Sequence, residues 1–179
     1  MGNAPDPLEF ASARAIALVA DTHGKLADVV SGRLQAADLI IHAGDVGNAA
    51  VLQALAVDAP VLAVAGNNDV PDKWPLTDVD VLADLPEIIE IKLAGGSLVV
   101  VHGHQWPRAA DRHDRLRDRW PHARCIVYGH SHRRVVDQDA IPWVLNPGAG
   151  GRARALGGAG WLGLSISTDG WRVSRNGFC

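Results

Sequence analysis

The segment CIVYGHSH, Cys125–His132, joins a short apolar run to a glycine and two histidines one residue apart. Cys125–Tyr128 has the length and composition of a strand buried in the middle of a sheet. Gly129 opens a turn, and His130 and His132 point the same way only where the chain is still extended. One histidine at a strand end is common. The reading therefore turns on whether other strands of this chain end in similar chemistry.

Similar apolar runs occur at Ala15–Ala20, Asp38–Gly44, Pro60–Gly66, Ser97–Gly103, Pro142–Asn146 and Trp161–Ser167. Segments of helical character alternate with the early ones. Lys25–Ala37 carries Leu26, Val29, Val30 and Leu34 at helical spacing, and Asn48–Val57 continues the pattern. Strand followed by helix, repeated, implies right-handed crossovers and a largely parallel sheet. From about Leu82 the strands crowd together, and Trp161–Ser167 with Trp171–Ser174 reads as a hairpin. This predicts a second, mixed or antiparallel sheet. The expected fold is α/β: a four-layer αββα sandwich of two mixed β-sheets flanked by helices. Residues 1–12 read as a loosely held, flexible leader, and 13–179 as a single domain.

Composition narrows the function. The 179 residues suit one domain with a sizeable core, 47% hydrophobic and 21% charged. A formal net charge of −3 offers no general attraction for nucleic acid or an anionic membrane. No basic start with an apolar core marks a secretory signal, and no apolar run is long enough for a bilayer. Two cysteines, Cys125 and Cys179, make no disulfide framework, so a reducing cytoplasm is the expected location. Gly148–Ala153 fits a relaxed dinucleotide fingerprint, but an apolar strand rather than a helix follows its glycines. That glycine-rich stretch reads as a mobile loop.

Each apolar run before Trp161–Ser167 ends in a potential metal donor. Ala15–Ala20 leads to Asp21 and His23, and the next run leads to Asp45. Pro60–Gly66 leads to Asn67, Asn68 and Asp69, and Ser97–Val101 to His102 and His104. Parallel strands deliver their carboxyl ends to one rim, where ligands bind. Crowded carboxylates repel, and neutral imidazoles leave lone pairs unsatisfied. Divalent ions resolve both, and mixed nitrogen and oxygen donors suit Mn, Fe or Zn in a catalytic site. The donors suffice for more than one ion, with Asp45 the candidate bridge. Taken singly, each motif reads as an ordinary turn, and His42, inside its apolar run, as a hydrogen-bonded core histidine. Taken together and in this order, they point to metal.

The set DTH, GD, GNND, HGH and GHSH, Asp21–His132 with NPGA after it, resembles the calcineurin-like metallophosphoesterases. The short forms look most like the family's small bacterial and archaeal phosphodiesterases. The resemblance implies two divalent ions, manganese first, with iron, zinc or nickel as alternatives. Asp21, His23 and His132 would hold one, Asn67, His102 and His130 the other, and Asp45 both. The implied reaction is attack by a metal-bridging hydroxide on a small phosphate ester or diester. Asp45, Asn68 and His104 are then the expected catalytic residues.

The departure is Asn68, where many members carry a histidine that protonates the leaving oxygen. Asparagine donates a hydrogen bond but delivers no proton, leaving His104 or water as the acid. Asp69 is expected to support the turn rather than bind metal. Arg108–Arg124, with six arginines and three aspartates, reads as a surface helix laced with ion pairs such as Asp111 with Arg115. His113 and His122 would be solvated there. Arg152 and Arg154 stand in the glycine-rich loop, where they could reach substrate phosphate. Expected partners are a small phosphate ester, no membrane and no extended nucleic acid, with a homo-oligomer left open. The rival reading is a non-catalytic interaction scaffold like the retromer subunit of the same fold.

Overall fold

The computed structural model describes residues 7–151 and 155–177, so Arg152 and Arg154 lie outside the described residues. Its strands are β1 (Leu8–Glu9), β2 (Ala15–Val19), β3 (Leu39–His42), β4 (Val61–Ala63), β5 (Ile88–Leu93), β6 (Gly96–Val101), β7 (Cys125–Val127), β8 (Arg134–Asp137), β9 (Trp143–Pro147), β10 (Gly160–Ser167) and β11 (Gly170–Gly177). The helices are α1 (Ala49–Ala56), α2 (Val79–Ala83) and α3 (Arg112–Arg119).

Two mixed sheets result. One has the order β1-β5-β6-β7-β9-β8, the other β11-β10-β2-β3-β4. Three adjacent parallel strands run through each: β6, β7 and β9 in one, β2, β3 and β4 in the other. Their inner faces meet in a core that joins Leu18 and Ile41 to Ile91, Leu98 and Val127. Outside the five-stranded sheet, α1 buries Val51 and Leu55 beside Val30 and Leu34. Outside the six-stranded sheet, Leu116 of α3 and Trp120 after it cover Val99 and Ile126. Burying a side chain such as Leu116 contributes about 1.5–3 kcal/mol. The four-layer order is as expected, with thin helical layers. No helix among the described residues is long and apolar enough to cross a membrane.

Several elements differ from expectation. Lys25–Ala37 is a chain of turns, with isolated bonds such as Val30 N–H to Ala27 O and Ala37 N–H to Leu34 O. Gly32, at φ +65°, turns the backbone out of the helical region midway, yet Val30 and Leu34 stay buried. The terminal hairpin joins the five-stranded sheet rather than the second, later one, because β10 pairs antiparallel with β2 and buries Leu162, Leu164 and Ile166 in the central core. Leu8 and Glu9, within the expected loose leader, pair in parallel with Ile91 and Lys92. The start of the glycine-rich stretch is buried: Gly150 N–H donates to Ala20 O, and Gly150 O accepts from Ala27 N–H.

The arginine-rich helix is more than a solvated face. Arg112 is buried, donating to Trp106 O and Pro107 O, and Arg117 donates to Asp137 Oδ1 at 2.6 Å. The Asp111–Arg115 contact is the helical N–H to carbonyl bond, while the Asp111 carboxylate faces Arg108 at 3.9 Å. His113 is half-buried between Asp137 Oδ2 at 2.6 Å and the Tyr128 hydroxyl at 3.1 Å, whereas His122 is exposed beside Glu90.

Candidate metal centre

The parallel strands bring their carboxyl ends to one rim, and loop hydrogen bonds lace that rim together. Asp21 N–H donates to Gly44 O, His23 N–H to Asp45 O and Gly24 N–H to Val46 O, so the loop after β2 runs along the loop after β3. Within the six-stranded sheet Gly129 N–H donates to His102 O, and across the two sheets His130 N–H donates to Asp21 Oδ1 at 3.0 Å. Asn48 caps α1 by accepting from Val51 N–H, and its amide donates to Gly24 O. Asn146, at the end of β9, donates to Gly129 O and Ser131 Oγ.

Five non-glycine residues among those described have positive φ: Asp21, His23, Asp45, His130 and His132, at 47° to 63°. All five belong to the expected donor set. Such backbone costs about 1–3 kcal/mol per residue and persists where its surroundings over-determine it. Here the chain turns sharply at each strand end, aiming the side chain back over the rim.

Two groups of donors form. Ligating atoms of Asp21, His23, Asp45 and His132 all lie within 4.8 Å of one another. Within this group His23 Nε2 and His132 Nε2 are 3.1 Å apart, and His132 Nε2 is 3.6 Å from Asp21 Oδ1. Beside it, Asn67 Oδ1 lies 3.1 Å from both His102 Nε2 and His130 Nδ1. Asp45 Oδ2 stands between the groups, 3.7 Å from His23 Nε2 and 3.4 Å from His102 Nε2. His104 flanks the second group, its ring 5.6 Å from that of His102.

The chemistry of these contacts fits a cation. His102 Nδ1 donates to Ala43 O at 2.9 Å, which leaves Nε2 facing two oxygens, Asn67 Oδ1 and Asp45 Oδ2, an arrangement that a proton or a cation at Nε2 satisfies. Two facing imidazole nitrogens likewise need a proton or a cation between them. Asp21 Oδ2 is buried without a hydrogen-bond partner. Ligands of a single ion at about 2.1 Å stand roughly 3.0–3.4 Å apart, close to the spacings seen in both groups.

Electrostatics agree. Burial, with Asp45 and Asp69 adding to it, pushes the Asp21 carboxyl up to about 7, against the opposing pull of His102 and the His130 N–H. Burial would also raise Asp45, but His102 and the two Asn68 hydrogen bonds outweigh it and hold that carboxyl below the usual range. Burial acts to lower His102, yet Asp45 and Asp21 raise it. His130 is pushed down to about 4, first by burial and then by His102 and Arg112. His104 is lowered by burial and by His102.

Supporting residues complete the rim. Asp69 belongs to neither group of candidate metal donors; its carboxylate accepts from Val46, Gly47 and Gly66 N–H and from the Trp74 indole, as its expected turn role requires. His42, fully buried, lies 2.9 Å from Thr22 Oγ1, which donates to Val46 O. Gly44, at φ +87°, allows the loop to pass His102, where a Cβ would come within 2.6 Å of the ring. Asn68 donates from its backbone to Asp45 Oδ1 and from its amide to Asp45 Oδ2, while Lys73 Nζ donates to Asn68 Oδ1. Thr22 and Lys73 escape the sequence reading, since a threonine between two donors and a lone lysine in a loop carry no pattern of their own.

Comparison with known proteins agrees with this geometry. Residues 15–169 match the model of the calcineurin-like phosphoesterase superfamily domain. A probable metallophosphoesterase of Methanocaldococcus jannaschii is 31% identical over 143 residues, 75% of this chain and 67% of the relative. The structure of an archaeal phosphodiesterase superposes with a TM-score of 0.65 at 20% identity, covering 89% of this chain and 98% of that one. Zinc-complexed Vps29 of Entamoeba histolytica superposes with a TM-score of 0.67 at 16% identity, covering 92% of this chain and 99% of that one. This chain, whose rim gathers carboxylate, amide and imidazole donors at the ends of two facing sheets, belongs to the calcineurin-like phosphoesterase superfamily.

Proposed function

We propose that this chain is a binuclear metal-dependent phosphodiesterase acting on a small phosphate ester. Asp21, His23 and His132 hold one divalent ion, Asn67, His102 and His130 hold the second, and Asp45 serves both; manganese is the proposed metal. The observation that carries this reading is the position of Asp45 Oδ2, between His23 Nε2 and His102 Nε2. When bound, such an ion pair supplies a water nucleophile at neutral pH and positive charge against the phosphoryl oxygens.

The chain's own groups do the rest. Two hydrogen bonds from Asn68 hold the Asp45 carboxylate in one orientation. The second amide proton of Asn68 serves a phosphoryl oxygen of the ester. Asn68 delivers no proton, so His104 or water completes the leaving alcohol. Absence of a general acid costs a factor of about 10²–10⁴, which favours diesters with good leaving groups.

The test is reconstitution. Metal-stripped protein given Mn²⁺, Zn²⁺ or Mg²⁺ is assayed on chromogenic mono- and diesters, with metal content measured alongside. Two ions per chain and diester hydrolysis are expected, and Asp45→Asn abolishes turnover and lowers metal content. A folded, metal-loaded protein that hydrolyses no diester would favour the interaction scaffold, the reading that the fold of Vps29 supports. An Asp45→Asn variant with normal activity removes the bridging role.

A further inference from the structure

The segment between Asn67 and Trp74 is fastened at both ends. Asp69 accepts from Gly66 N–H at 2.8 Å and from the Trp74 indole at 3.0 Å, and Trp74 is buried. Between them Pro71–Lys73 makes one 3₁₀ turn, closed by Lys73 N–H to Val70 O. This turn carries the Lys73 side chain back to Asn68, whose Oδ1 accepts from Nζ at 2.5 Å. The Asn68 amide donates to Asp45 Oδ2 at 2.7 Å. Its oxygen thus faces an ammonium and its nitrogen a carboxylate. The flipped amide would set like charges against each other, so electrostatics fix its orientation.

Resting on the phosphodiesterase reading, we propose that Lys73 is the cation that meets the ester's leaving oxygen. An ammonium has three N–H donors, and Asn68 takes one. An in-line displacement that starts from water held at the donor groups expels the leaving oxygen away from them. On the outward side of Asp45 stand Asn68, half-buried, and Lys73, exposed. The water gives one proton to solvent as its oxygen bonds to phosphorus and the ester P–O bond breaks, and that bond's electron pair goes to the departing oxygen. Lys73 stabilises this charge before a proton from His104 or solvent completes the alcohol. Preorganised charge beside a developing anion is among the strongest contributions to catalysis.

The experiment compares wild type, Lys73→Ala and Lys73→Arg, each loaded with Mn²⁺, on methyl aryl phosphodiesters of graded leaving-group pKa. Lys73→Ala should lose less than about threefold in kcat/KM on the nitrophenyl ester but on the order of 10²-fold on the poorest leaving group. Lys73→Arg should restore the slope. A parallel loss across the series, the signature of a structural role, overturns the assignment. Inorganic phosphate binding, measured by calorimetry, gives a readout without turnover. Lys73→Ala should weaken it roughly fivefold, the order of one exposed charge contact, and equal affinities overturn the assignment. Should wild type hydrolyse nothing, the hydrolase reading falls and the leaving-group role of Lys73 falls with it, whereas hydrolysis with a parallel loss in Lys73→Ala overturns the Lys73 assignment alone.

Discussion

Replacing Asp69 by asparagine perturbs the joint between the loops that carry Asp45 and Asn67 while leaving side-chain volume almost unchanged. The carboxylate is buried and accepts four N–H groups: Val46 and Gly66 on Oδ2, Gly47 and the Trp74 indole on Oδ1. An amide has one acceptor oxygen. Whichever way it is placed, its NH₂ confronts two donors, so two hydrogen bonds to a charged group disappear. At about 1.5–3 kcal/mol each, the loss is about 3–6 kcal/mol. A domain of this size shifts by about 2–4 °C per kcal/mol, so the melting temperature should fall on the order of 10 °C. Native stability of roughly 5–15 kcal/mol leaves most of the variant folded at room temperature. Metal affinity should fall with it, because Val46 follows Asp45 and Gly66 precedes Asn67. Calorimetric melts of metal-free protein, with Mn²⁺ titrations beside them, provide the measurement. A melting point within about 3 °C of wild type would show that the four contacts contribute little, and unchanged Mn²⁺ affinity would show that the loops hold their register without Asp69.

Gly66→Ala strikes the same joint, since the new Cβ would lie 2.2 Å from Asp45 Oδ1 and 2.3 Å from Asp45 N. We expect a stability loss of about 1–3 kcal/mol and weakened Mn²⁺ binding; wild-type affinity in calorimetry would contradict the contact. Asp137 supplies a pH test. Burial would raise its carboxyl, but hydrogen bonds from Arg117 and His113 outweigh it and hold it below the ordinary range. A carboxylate depressed on folding stabilises above its unfolded pKa of about 4, and that stability is lost as pH falls through the lower folded value. Wild-type melting temperature should therefore drop more steeply than that of Asp137→Asn below about pH 4, and parallel acid limbs would refute the assignment.

The sheet strands could be read because their apolar runs are short and bounded by charged or turn-forming residues. Ala15–Val19 and Leu39–His42 lie within such runs. The gathering of donors could be read for a related reason: parallel strands must deliver their ends to one side. Helical periodicity failed at Lys25–Ala37 because burial, not helix formation, spaced Val30 and Leu34. The hairpin was legible as a hairpin, yet its sheet was not, since an alternating strand fits any open edge that offers it a core. Arg112 reads as solvated from its charged neighbours, but two carbonyls accept its guanidinium and cover it. No residue type announces the left-handed turns at His130 and His132. Aspartate and histidine tolerate that conformation better than most, but nothing local demands it.

Those five turns have a wider implication. A version of this chain selected only to resist heat would relax them with glycine at positions 21, 23, 45, 130 and 132, and would surrender every one of those candidate ligands in doing so. Durability and ion capture therefore pull on the same five residues in opposite directions. If the proposed metal centre is the function, any drift that abandons it should leave its mark there first, as glycine replacing donor.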